Sequence, residues 1–103
     1  MAILHASATN FDSEVLQSTQ TVLVDFYADW CGPCRMLKPI LEDVAKERED
    51  IIVGKVNVDE EDYLASKYGV FSIPTLIVFK NGEIVNQASG ARPKAQVLAL
   101  VDG

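Results

Sequence analysis

Cys31 and Cys34, the two cysteines of the chain, stand in the stretch "WCGPC" with Gly32 and Pro33 between them. Such a pair can staple a fold, hold half of a metal site or exchange disulfides. A staple adds little, because closing so short a loop removes little entropy from the unfolded chain. Nor is one needed: 103 residues, 49% of them hydrophobic, suffice for one domain over residues 1–103 with its own core. A structural zinc site wants four Cys or His ligands, and the chain offers two Cys and His5. No suitably spaced carboxylates complete the set, which leaves chemistry at sulfur.

The elements that must position this pair are legible from hydrophobic pattern. Residues 21–28, "TVLVDFYA", form a β-branched and aromatic run fit for a buried strand, and 51–58 and 75–80 read the same way. Between the first two, Met36, Leu37, Ile40, Leu41, Val44 and Ala45 recur at helical spacing within residues 34–50. Residues 60–69 predict a shorter helix ended by Gly69, and 11–18 another, with Thr9 and Asn10 as caps. Asn81-Gly82 between two apolar runs signals a hairpin, so strands 75–80 and 84–89 should be antiparallel. Gly90 and Pro93 interrupt before 94–101 closes the chain as a helix. The expected order is β-α-β-α-β-α-β-β-α, a mixed sheet with helices on both faces.

This order places Cys31 where a buried strand ends and a helix begins, a usual place for sites in open sheets. Pro33 suits the first helical turn, where its missing N–H has no partner to lose. Residues three apart on a helix are neighbours, so a disulfide could open and close with little backbone movement. Unpaired N–H groups and the partial positive charge of the helix mouth favour a thiolate at Cys31. Cys31 is therefore the expected nucleophile, and the more exposed of the two, with Cys34 resolving.

Charge and hydropathy remove other classes. Nine Lys plus Arg against fifteen Asp plus Glu give a net charge of −6, without the basic stripe that nucleic acid would require. "MAILHASATN" lacks a charged n-region and a long apolar h-region, and no apolar run is long enough for a membrane span. A soluble, cytoplasmic protein is expected. In that reducing setting, close cysteines are more often redox-active than structural.

"DFYADWCGPCRMLKP", "GKVNVDE", "YGVFSIPTLIVFKNGE" and "SGARPK" together resemble the thioredoxin family, in order and along essentially the whole chain. The resemblance implies a thioredoxin fold, a mixed five-stranded sheet flanked by four helices. It also implies a general protein disulfide reductase that needs no bound cofactor or metal and is likewise a monomer. Its partners would be disulfide-containing protein substrates and a thioredoxin reductase that recycles it.

Individual residues follow from the same resemblance. Asp25, a carboxylate inside an apolar strand where burial is costly, matches the family aspartate beneath the cysteines that helps deprotonate the resolving thiol. Lys55 matches the lysine that approaches this aspartate. Pro74 matches a cis proline facing the cysteines. With Trp30, Gly32, Pro33, Ile73, Thr75, Gly90 and Ala91 it would form the surface that accepts substrate chains. Pro39 should kink the long helix, and His5 reads as a strand-end or surface residue.

Three positions depart from the common pattern. Tyr27 stands where many relatives have a second tryptophan, Asp29 sets a negative charge near Cys31 that Arg35 would counter, and Phe71 replaces a polar or basic residue. Two rival functions share the fold. An oxidase or isomerase usually has His where Pro33 stands. A pure interaction module would not need its thiols.

Overall fold

The structure, a computed structural model, describes residues 3–103. Met1 and Ala2, the start of the stretch read for an export signal, lie outside the described residues. Five strands, β1 (Leu4–His5), β2 (Thr21–Tyr27), β3 (Ile51–Asn57), β4 (Thr75–Lys80) and β5 (Glu83–Ser89), form one sheet in the order β1-β3-β2-β4-β5. Three α-helices, α1 (Gly32–Glu47), α2 (Asp62–Lys67) and α3 (Lys94–Asp102), and a π-helical turn at Asp12–Leu16 flank it. This is the expected five-stranded, four-helix thioredoxin architecture, with parallel pairing of β2 to β3 and antiparallel pairing of β2 to β4.

β2 reads as a continuous apolar run because it lies at the centre of the sheet and is covered on both faces. Val22, Val24 and Phe26 point into a cluster with Phe11, Val15, Leu64 and Phe79, under the π-helical turn and α2. Leu23 points the other way, with Leu37, Leu41 and Val44 of α1 and Val97 and Val101 of α3. Asp25 and Tyr27 share the Leu23 face by the period of two. The strand therefore feeds a core on one side and sets a carboxyl toward α1 on the other.

Three local expectations need correction. The segment at 11–18 is a π-helical turn rather than an α-helix, because the Gln17 N–H reaches back to the Asp12 carbonyl at 2.9 Å. The wide turn still buries Phe11 and Val15. Thr9 and Asn10 do not cap it: Asn10 Oδ1 accepts the Ser7 N–H at 2.8 Å and its amide donates to the His5 carbonyl, bracing the preceding turn. The long helix stops at Glu47 instead of 50, where Arg48 leaves the helix and its guanidinium binds Asp50 and Asp102. The hairpin forms as expected, with positive φ at both Asn81 (53°) and Gly82 (80°). This pair of left-handed residues matches the strand twist.

Candidate functional site

β2 ends at Tyr27, and the chain turns through Ala28, Asp29 and Trp30 into α1. Cys31 is the N-cap of that helix, in extended conformation, and Pro33 lies in its first turn. The Cys34 N–H, one of the helix's otherwise unpartnered donors, points at Cys31 Sγ at 3.2 Å. Cys31 and Cys34 are joined as a disulfide, their Cα atoms 5.2 Å apart. In the disulfide both are buried, with exposures of 4% and 3%. The two sulfurs differ in their electrostatic surroundings, since Cys31 Sγ is the one that receives the helix N–H.

The loop before β4 closes over this pair. The Ile73–Pro74 peptide is cis, and Cys31 Sγ lies 3.9 Å from the Ile73 carbonyl oxygen. Ile73 packs on Ala28, Cys31 and Cys34, and the Gly90 N–H donates to the Pro74 carbonyl at 2.8 Å. Cys31, Gly32, Pro33, Ile73, Pro74 and Gly90 are thus brought to one rim. Trp30 stands beside it, 68% exposed, with its Nε1 donating to Asp59 at 2.9 Å. Ala91 lines a neighbouring apolar hollow of about 250 Å³ with Met36, Ile40 and Pro93. Thr75 is the exception. Its side chain is buried, bonded to the Ser72 carbonyl and the Ser89 hydroxyl.

Asp25 is fully buried, and neither carboxylate oxygen has a hydrogen-bond partner in the protein. Burial pushes its pKa from the ordinary 3.8 up to about 7, while the charge of Lys55 pulls the other way. Lys55 does not pair with it, however. The ammonium sits over the Tyr27 ring, 4.2 Å from the centroid, and belongs to none of the ion pairs among the described residues. The expected approach of Lys55 to Asp25 is therefore through space. A cleft of about 740 Å³ runs past Cys34, Tyr27 and Lys55 and is walled by Arg35 and Lys38 of α1. Arg35 turns its guanidinium to the Asp29 carbonyl at 2.9 Å, and Phe71 is 97% exposed.

Asp59 went unread in the sequence, as did Met36 and Ile40 as hollow-lining residues. Asp59 had a signal: the Asn57 side chain accepts its N–H at 2.9 Å, an Asx turn written in "NVD" at the end of β3.

A cysteine pair joined across the first turn of a helix, at the carboxyl end of a central strand, defines a thiol-disulfide oxidoreductase. The Thioredoxin family model matches residues 2–103. Among curated relatives, a protein named Thioredoxin from Acidithiobacillus ferridurans is 46% identical over 102 residues, covering 98% of this chain and 94% of its own. Thioredoxin from Chlorobaculum thiosulfatiphilum is 46% identical over 94% of this chain and 91% of its own. Thioredoxin from Streptomyces clavuligerus is 49% identical over 85% and 82%. The chain belongs to the thioredoxin family, and its activity is dithiol-disulfide reduction.

Proposed function

We propose that the chain is a general protein disulfide reductase in which Cys31 attacks and Cys34 resolves. The observation that supports this division is the N–H of Cys34 directed at Cys31 Sγ. A donor and the positive end of α1 both favour negative charge on that sulfur. In the reduced protein the Cys31 thiolate attacks one sulfur of a target disulfide and forms a mixed disulfide. The displaced target sulfur leaves as a thiolate and takes a proton from water. Cys34 gives its proton to Asp25 and attacks Cys31 Sγ. The second target sulfur leaves, and two electrons have passed from the dithiol to the target. Lys55 biases the charge of Asp25 through space.

The rim of Trp30, Gly32, Pro33, Ile73, cis-Pro74, Gly90 and Ala91 receives the target's extended backbone, with Thr75 contributing structure beneath it. A thioredoxin reductase returns the two electrons. The chain works as a monomeric single domain over residues 1–103, in cytoplasmic electron transport and redox homeostasis. None of the described helices is long and apolar enough to cross a membrane.

Cys34→Ser tests the division of labour. This variant should accumulate covalent complexes with disulfide-bearing proteins on non-reducing gels, whereas Cys31→Ser should not. Equal trapping by both would overturn the assignment.

A further inference from the structure

The register of the sheet sets Lys55 directly beside Asp25, and Tyr27 follows two residues later on the same face of β2. An ammonium next to a buried carboxyl with no other partner has every electrostatic reason to pair with it. Here it does not: Lys55 Nζ rests over the Tyr27 ring, and both Asp25 oxygens stay without a partner. The negative face of an aromatic ring attracts a cation without taking or giving a proton. Ring and carboxyl thus compete for one ammonium.

We propose that Tyr27 is a positioning residue whose ring holds the Lys55 ammonium off the Asp25 carboxyl, leaving that carboxyl without a cationic partner. The inference rests on the reading of Asp25 as the proton acceptor for Cys34. A base works best when its proton affinity matches the working pH. An ammonium closed onto Asp25 would hold it as a paired, weaker base. The two influences on Asp25 already have these signs, burial raising its pKa and the Lys55 charge lowering it. Other titratable or charged groups share the cleft: His5 from β1, Asp29 from the turn after β2, and Arg35, Lys38, Glu42 and Lys46 from α1. None of them hydrogen-bonds Asp25, and β4 sets only Leu76 against it. Lys55 is the cation that the sheet register delivers.

Tyr27→Phe keeps the ring and Tyr27→Leu removes it. Carbon NMR of the Asp25 carboxyl, followed across pH in the oxidised protein, reads the outcome directly. The wild type and the Phe variant should titrate together, the Leu variant lower by about one pH unit or more. Lys55→Met on the Leu background should reverse that drop. In the wild type, ring current should also move the Lys55 methylene protons upfield. Titration of the Leu variant at the wild-type pH, or unshifted Lys55 protons in the wild type, would overturn the proposal, and the second measurement needs no variant to fold. The acceptor role fails separately, by fast single-turnover reduction in Asp25→Asn.

Discussion

At the scale of single residues, Asp25 ties stability to pH. The folded chain holds this proton up to about pH 7, whereas an ordinary aspartate loses it near 3.8. Folded protein therefore binds more protons than unfolded protein across that window. Its stability should fall as pH rises through it and level off above. At about 1.4 kcal/mol per pH unit, the full span amounts to roughly 4 kcal/mol. Asp25→Asn, which has no charge to suppress, should stabilise the oxidised protein by about 2–4 kcal/mol at pH 8 and by little at pH 4. The same variant should slow release of target from the mixed disulfide by at least about tenfold. Denaturation at the two pH values and single-turnover kinetics check both halves. Asp59→Ala should cost less than about 1 kcal/mol, since its bond to Trp30 is exposed. It should nevertheless change the fluorescence of the one tryptophan in the chain and lower kcat/KM for protein substrates. The cysteines and Asp25 were legible because their residue types conflict with, or exceed, what packing requires. The placement of Lys55 on a ring was not, because two neighbours compete for it and only side-chain geometry decides between them.

At the scale of elements, apolar runs and turn residues located the strands from β2 to β5 and the helices, since burial on two faces leaves an unbroken hydrophobic signature in β2 and β4, whereas the two-residue β1 is too short to leave one. The π-helical turn escaped, because a hydrogen bond reaching five residues back instead of four leaves the same apolar spacing in the sequence. The C-terminal end of α1 also escaped detection by pattern, set as it is by Arg48 reaching Asp50 and Asp102. The hairpin yields a sharper expectation. Gly82 has φ 80°, and a Cβ there would lie 2.8 Å from the Leu16 carbonyl oxygen, whereas Gly69, at φ 65°, faces open space. Gly69→Ala should cost about 1–2 kcal/mol for the left-handed backbone alone. Gly82→Ala should cost more than that, because the β4–β5 turn must also draw away from the end of the π-helical turn. Urea denaturation of the two variants side by side compares them, and equal losses would mean that the clash relaxes freely.

At the scale of the whole molecule, two hydrophobic clusters share one sheet and neither depends on the cysteine bond. The double variant Cys31→Ser/Cys34→Ser should therefore fold and unfold cooperatively. Relative to the oxidised protein it should lose only about 2 kcal/mol, the entropy of closing a very short loop. Circular dichroism and denaturation measure this, and the variant should reduce no disulfides. The same sheet order has a consequence in time. Cys31 and Cys34 belong to the first third of the chain, whereas β4, which pairs with β2, and Ile73, which packs on the two sulfurs, lie some forty residues further on. At about 5–20 residues per second, a ribosome needs roughly 2–8 s to cover that distance. The two cysteines therefore leave the ribosome ahead of Ile73 and β4 by that interval, and the disulfide's packing is completed only once the later strands have followed.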